Sequence, residues 1–455
     1  MANKGHGAQD MFNALMEFLK IHGLELENCR GQSYDNASAM SGKYNGLQAK
    51  VREEQSCIPC TAHSLNLGGK NAVECCSSAI QFFDFLEKLF VFFTISTHRH
   101  QLLTEALNYD DSSLTLKHVT TTRWSCKADA TKALKNDYQQ IKDVLTKITD
   151  DTEEKGCIRC EADGLLRQIN QLETGIYIIF WNDILQRTDA TNKTLQHAKL
   201  DLNTAVASLA SLKDYVASKR ESFDTYEKQG KELSGSADYV QTKTRNKRRN
   251  VRLSPLDYGQ SEEVELSPSE KYRTQSFLPV IDQFITSIDQ RLQAYKDISS
   301  KFSFFNHLKE LSSDDLQAAA EQLLKSYPDD LDKTLADELV QFVAFVNIFA
   351  DEEPGNISTE HFLHRLIMDK GVQDTFPNIE IALRIYLVLM VSNCSGERSF
   401  SKLKLIENRL RTSMKQKRLV NLVIMSIESD ILRELDFKDI IHDFATRKSR
   451  KVTGL

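Results

Sequence analysis

Leu24-Glu-Leu-Glu-Asn-Cys-Arg-Gly-Gln-Ser33 opens with apolar and polar residues in alternation and runs into Ser33-Tyr34-Asp35-Asn36. That pattern predicts a short strand ending in a polar cluster. Upstream, Met11, Phe12, Leu15, Phe18 and Leu19 recur at helical spacing between Asp10 and Ile21, and Gly23 closes the helix. Asp10 falls where that helix starts and reads as a cap. Downstream, Gly42, Asn45 and Gly46 mark turns, Leu47 to Glu54 a short helix, and Ile58-Pro59-Cys60 a second brief strand. Helix, strand, helix, strand is an α/β fragment. It falls far short of the ~150 residues of an ordinary domain.

Past His63 the pattern turns to long helices. Helical periodicity marks Ala79 to Thr94, Gln101 to Asn108, Ala128 to Ile148, Glu161 to Phe180 and Thr191 to Lys219. From Gln229 to Ser269 a polar tract rich in Ser, Lys, Arg and Glu, with Pro255 and Pro268 inside it, predicts a mobile loop. Helices resume at Leu278 and run to about Lys370, interrupted near Asp351 to Ser358. Ile385 to Val391 fits a buried strand or helix inside a last segment from Phe376-Pro377 to Phe444. The expected division is therefore residues 1–63 (α/β), 64–370 (all-α, with the loop at 229–269) and 371–445 (compact helical end).

Composition agrees with a mainly α chain. Only 7 prolines and 18 glycines occur in 455 residues, which disfavours all-β, collagen-like and low-complexity classes. The net charge of -6 excludes a uniformly basic coat, so any nucleic-acid contact must come from local patches. Nine cysteines, an odd number scattered without a secretion signal, predict a reduced, intracellular protein. The greasiest stretch, Phe82 to Ile95, is broken by Asp84, Glu87 and Lys88, so no membrane span is expected. No small-molecule substrate is indicated.

Residues able to carry chemistry each have two readings. Asp35 sits at a predicted strand end, where catalytic carboxylates are common, but aspartate also favours turns. Glu397, in Ser392-Asn-Cys-Ser-Gly-Glu-Arg-Ser-Phe400, falls in the first turn of a helix capped by Asn393 or Ser395, which is ordinary helix-start chemistry as well as an acid site. Cys57, Cys60 and His63 have the spacing of half a zinc site that Cys157 and Cys160 could complete. Paired zinc motifs usually recur ~12–20 residues apart, and these do not, so packing or hydrogen bonding is the better account of Cys60 and His63. Gly42-Lys43 lacks the first glycine of a phosphate loop, since Ala37 stands there.

Three basic runs stand out: Lys243 to Arg252, Arg398 to Arg418, and Arg447 to Lys451. The first suits nuclear import or loose DNA contact. The second interleaves Phe400, Leu403, Leu410 and Leu419, so one face is core and the other basic. Leu419 to Ile427, LVNLVIMSI, is apolar nearly all round and needs cover on more than one side.

Together these landmarks resemble the hAT superfamily of cut-and-paste DNA transposases, and in particular its domesticated zinc-finger MYM-type relatives. The marks are Cys29-Arg-Gly-Gln-Ser-Tyr-Asp-Asn36, Met40-Ser-Gly-Lys-Tyr-Asn-Gly46, Cys60-Thr-Ala-His-Ser-Leu-Asn-Leu67, Thr121-Thr-Arg-Trp124 and Ser395-Gly-Glu-Arg-Ser-Phe-Ser401, in that order. The resemblance implies a ribonuclease-H-like core split by a large helical insertion, with a C-terminal dimerisation region. It implies two divalent ions, Mg²⁺ or Mn²⁺, held by three acids in an intact relative. By motif Asp35 matches the second acid and Glu397 the third.

The same resemblance makes Arg123 and Trp124 the insertion-domain pair whose indole stacks on an unpaired base, with a core aromatic as the other reading of Trp124. Arg398 and Lys402 become candidate DNA contacts. Phe400, Leu403, Leu419, Leu422 and Ile427 become candidate dimer contacts. Neither a zinc finger nor the first acid is matched, which implies a truncated core starting inside the catalytic domain and, as given, no bound cofactor. The expectation is a transposase-derived, self-associating protein of the nucleus, or otherwise of the cytoplasm, with DNA as a candidate partner and without nuclease activity. A fragment of an active transposase and a helical scaffold without a nucleic-acid partner are the alternatives.

Overall fold

The computed structural model describes residues 7–32, 34, 38–41, 45–52, 69–107, 118–119, 124–197, 200–240, 266–349, 357–389, 394–407 and 414–446. Among them every regular element is helical. The helices are α1 (Ala8–Ile21), α2 (Ser38–Ser41), α3 (Leu47–Arg52), α4 (Ser77–Thr94), α5 (Thr97–Ala106), α6 (Trp124–Asn136) and α7 (Tyr138–Asp150). There follow α8 (Gly156–Ile169), α9 (Leu172–Leu195), α10 (Leu202–Ser218), α11 (Phe223–Ser234), α12 (Pro268–Tyr272) and α13 (Leu278–Phe302). The remainder are α14 (Ser313–Ser326), α15 (Leu335–Ile348), α16 (Thr359–Lys370), α17 (Pro377–Val388), α18 (Cys394–Ile406), α19 (Gln416–Ile427), α20 (Ser429–Glu434) and α21 (Lys438–Thr446). The mainly α expectation holds.

The chain divides into two compact units. One comprises Met1–Leu24 with Asn393–Leu455, and the other is Glu25–Ser392. The larger unit is organised around α9. Its run Ile176-Tyr-Ile-Ile-Phe-Trp181 is buried on every side, and a helix apolar all round belongs in a core rather than at a surface. Around it lie α4, α6, α8, α10 and α11. The closest crossing is with α11, where Gly175 faces Gly230: a Cβ on Gly230 would stand 2.9 Å from the Ile176 nitrogen. A second cluster joins α15, α16 and α17, with Phe342 edge-on to Phe376 at 5.1 Å.

Several boundaries differ from the periodicity reading. The predicted helix over Ala128 to Ile148 is two, α6 and α7, parted at Asp137, and the chain turns again at Asn170-Gln171 between α8 and α9. Neither break carries a proline. Each helix turns because its apolar stripe faces a different neighbour. Helix α11 continues to Ser234, beyond the predicted loop start at Gln229, because Tyr226, Gly230 and Ser234 are buried on one face. Gly235 then ends it in the left-handed conformation, at φ 71°. Asp10 supports α1 from its third position instead of its cap, accepting the Gly7 N–H at 3.3 Å.

The predicted strand over Leu24 to Ser33 is corrected. Among the described residues it holds a 3-10 turn, Leu26–Asn28, and no strand pairs with it. A strand needs a ladder partner to satisfy its amides. Here the segment is held by side chains: Leu26 is buried, a Cβ on Gly31 would stand 3.5 Å from the Leu389 side chain, and Arg30 grips Asp330 through Nε–Oδ2 at 2.6 Å and Nη2–Oδ1 at 2.7 Å. The fork geometry of guanidinium on carboxylate suits that fixing role. Ile385 to Val391, left open between strand and helix, is helical through Val388. The second predicted strand, Ile58 to Cys60, lies outside the described residues.

Candidate functional site

Helix α18 places the motif around Glu397. It begins at Cys394, so Glu397 lies in its first turn as the capping pattern requires. Arg398 and Phe400 on this helix are exposed, Phe400 at 72%. Helix α18 packs on α19, and Lys402 is the pin between them. Its Nζ donates to the carbonyls of Ser426 and Ile427, the latter at 3.3 Å. A cation at the last carbonyls of a helix satisfies orphan acceptors and opposes the helix dipole. The sequence makes Lys402 a DNA contact; the structure gives its ammonium this internal role.

Leu403, Leu419, Leu422 and Ile427 are half-buried, and α19 contains no buried residue. Val420, Ile424 and Met425 on the same helix are 41%, 54% and 44% exposed. Those three, and Leu405 of α18 at 77%, are exposed apolar residues of these two helices that the sequence-based set misses. The signal was present in LVNLVIMSI, which has too few polar positions to supply a solvent face.

Upstream, a buried carboxylate organises the entry to α17. Glu338 of α15 accepts the Asn378 backbone N–H at 2.9 Å and the Ile379 N–H at 3.3 Å through Oε2. Its Oε1 accepts the Asn378 side-chain amide at 2.6 Å and the Thr334 hydroxyl at 3.2 Å. Glu338 thus serves as an N-terminal cap for α17 from another helix, and carboxylates are favoured at that end. Sequence spacing gives no hint of it.

Trp124 opens α6 and is only 3% exposed. Its ring stacks over Phe284 at 6.3 Å and 15°, with Trp181 at 6.1 Å. Gly69 lies against its face so closely that a Cβ there would stand 2.1 Å from the indole. The core-aromatic reading describes this placement. Lys127, one turn on, holds its ammonium 4.7 Å over Phe83 and 5.1 Å over Trp124, and burial pushes its pKa below the usual lysine value.

Asp35, Cys57, Cys60, His63 and Arg123 lie outside the described residues. Cys157 and Cys160 are exposed on the first turns of α8. Among the described residues no three His, Cys, Asp or Glu side chains come together to hold a metal ion. Asp35 and the side chain of Glu397, the two acids that the resemblance assigns to a divalent pair, are not among the groups covered by that statement. No helix among the described residues is long and apolar enough to cross a membrane.

Residues 338–431, which run from the Glu338 cap through α19, match the hAT family C-terminal dimerisation region. Residues 3–46, which include Asp35, match the RNase-like domain of ZMYM1/FAM200. These matches and the relatives that follow support an hAT-derived origin. The chain is 24% identical over 437 residues to a human protein, the 52 kDa repressor of the inhibitor of the protein kinase, covering 91% of this chain and 55% of that one. The mouse protein of the same name is 24% identical over 438 residues, with the same coverage. The chain thus spans about half the length of the curated relatives it matches.

Proposed function

We propose that this hAT-derived chain is a self-associating, DNA-contacting module that does not itself cut DNA. The observation that carries the reading is α19: its stretch Leu419 to Ile427 is apolar on nearly every side, and the helix has no buried residue, inside the residues that match a dimerisation region. Apolar surface of this kind is stabilised by removal from water, and a second copy supplies the cover. A ribonuclease-H-like core split by a helical insertion fits the same reading. Its supports are the RNase-like match at residues 3–46 and the grouping of Met1–Leu24 with Asn393–Leu455.

Sedimentation of the 455-residue chain at micromolar concentration is expected to show a dimer or larger species. Ile424→Asp removes at least ~1.5 kcal/mol of apolar burial from each of two copies, so the dissociation constant should rise about 100-fold. The circular dichroism should be unchanged, because Ile424 is exposed within its own chain. A strict monomer overturns the reading. Loss of helicity in the variant would make α19 a core element of a single chain.

The DNA part rests on the basic runs at Lys243 to Arg252 and Arg398 to Arg418, and the inactivity on the acids. Motif matching supplies two, Asp35 and Glu397, whereas a two-ion site needs several carboxylate oxygens in fixed geometry. Loss of a few kcal/mol of transition-state stabilisation lowers a rate by several powers of ten. Incubated with supercoiled plasmid in Mg²⁺ or Mn²⁺, the 455-residue polypeptide is expected to retard the DNA, more weakly as salt rises, without nicking it. Nicking that disappears in both Asp35→Ala and Glu397→Ala overturns the inactivity, and retention indifferent to salt overturns the electrostatic contact.

A further inference from the structure

Helix α8 carries two thiols on the side that faces away from the protein. Its inward stripe is Ile158, Ala162, Leu165 and Ile169; the last three are buried, and Ile158 packs against the core. Cys157 and Cys160 fall on the opposite side with Gly164, and all three are exposed. Arg159, between the two cysteines, is held elsewhere: its Nε–H donates to the Thr149 carbonyl at 3.0 Å, near the end of α7. A Cβ on Gly156 or Gly164 would meet nothing within 4 Å, so the strip on either side of the thiols is open.

We propose that Cys157 and Cys160 form a reversible dithiol–disulfide couple that exchanges with a small disulfide of the glutathione type. The first support is spacing. Residues at i and i+3 of a helix hold their Cβ atoms about 5–6 Å apart, and a disulfide spans about 3.5–4.5 Å between Cβ atoms. Closure therefore needs a movement of about 1 Å, available where a helix end is not pinned. Lys155, at the cap position of α8, makes no side-chain cap hydrogen bond, so this first turn has that freedom.

The second support is the contrast with other cysteines. Cys29 donates to the Gly31 carbonyl at 3.2 Å, Cys75 to the Ala72 carbonyl at 3.1 Å, and Cys76 lies 3.7 Å from the Tyr177 hydroxyl. Among the described residues no group takes the thiol of Cys157 or Cys160 in this way. Nor does a third His, Cys, Asp or Glu among them join the pair to hold a metal ion. Two exposed, unengaged thiols on one helix face are equipped for exchange, which needs access and a second sulfur close by.

The chemistry is balanced by the small disulfide. One cysteine, as thiolate, attacks a glutathione sulfur; a mixed disulfide forms as the glutathione S–S bond breaks and one glutathione thiolate leaves. The other cysteine gives its proton to water, attacks the protein sulfur of the mixed disulfide and expels the second glutathione. Two protein thiols are oxidised to one disulfide, and glutathione disulfide is reduced to two thiols. Excess reduced glutathione runs the same steps backwards.

The test uses the full 455-residue chain, as an equal mixture of isotopically light and heavy copies, equilibrated with glutathione at a series of reduced-to-oxidised ratios. After an acid quench, free thiols are alkylated and the chain is cut with trypsin. Cleavage after Lys155, Arg159 and Arg167 leaves a bridge holding residues 156–159 to residues 160–167. That linked pair, light with light and heavy with heavy, should be the main form under excess glutathione disulfide and should vanish under excess reduced glutathione. Alkylation at Cys157 and Cys160 should fall about ten-fold or more across the series, while Cys29 and Cys76 change less than about two-fold.

Cys157→Ser and Cys160→Ser should each abolish the linked pair with circular dichroism unchanged, leaving the remaining thiol as a mixed disulfide with glutathione. Absence of the linked pair at every ratio overturns the couple. So does a wild-type chain that stops at mixed disulfides, or one whose links are mainly light to heavy. Equal oxidation of Cys29 and Cys76 would show that the fold does not single out this pair, and overturns the proposal as well.

Discussion

Glu338→Ala will loosen the start of α17 by about 3 kcal/mol or more. The carboxylate accepts two backbone N–H groups and one side-chain amide in a site where Glu338 is 8% and Asn378 4% exposed. Alanine leaves the two backbone donors buried and unmet, while the Asn378 side-chain amide keeps Asp332 and Thr334 as acceptors, and a single unmet donor costs about 1–3 kcal/mol. Water cannot easily enter, because Leu339 and Ile379 beside the site are fully buried. Glu338→Gln keeps the shape but turns an N–H₂ toward other donors, so it should fall between wild type and alanine. Hydrogen exchange read on peptides covering Pro377 to Val388 is the measurement. Faster exchange there in Glu338→Ala, with α8 unaffected, is the expected result. Unchanged protection would mean that the cap contributes nothing to the helix.

Gly230→Ala should destabilise the larger unit even though alanine is the better helix former. In an open helix the exchange gains about 1 kcal/mol. Here the new methyl would stand 2.6 Å from Ile176 Cγ1 and 2.9 Å from the Ile176 nitrogen. The side-chain atom can rotate away, but the backbone nitrogen recedes only if α9 and α11 move apart. Overpacking of this kind costs about 1–3 kcal/mol. Gly175 is under the same constraint from the other side, with the Gly230 carbonyl oxygen 2.7 Å from its would-be Cβ. Gly164 supplies the control, since it lies in α8 with nothing within 4 Å of an added Cβ. Urea unfolding should therefore show a lower midpoint for Gly230→Ala and a higher one for Gly164→Ala. Two shifts of the same sign would contradict the packing of α9 on α11.

The opposite signs expected at Gly230 and Gly164 show where sequence reasoning stops. Both are helix-interior glycines, and no local pattern tells them apart; only the approach of Ile176 does. Helical periodicity was legible because it is a local property: each stripe repeats every three to four residues whatever it packs against. That made the mainly α class, α1 with its Gly23 stop, the first-turn place of Glu397 and the all-round apolar character of α19 readable from residue types alone. The motifs also carried the hAT resemblance, since their order along the chain needs no coordinates.

Long-range contacts decided the rest. The segment Leu24 to Ser33 alternates like a strand, but Arg30 on Asp330 and the burial of Leu26 hold it without a ladder. Residue types left Trp124 open between a base contact and a core aromatic, and burial against Phe284 is what its neighbours supply, while the Lys402 ammonium meets the last carbonyls of α19. The cap that Glu338 provides depends on Asn378, forty residues away, and no local spacing encodes that meeting. Local spacing fixes which face of a helix is apolar; which neighbour covers that face is a property of the whole chain, because burial and hydrogen-bond satisfaction are settled only when distant segments meet.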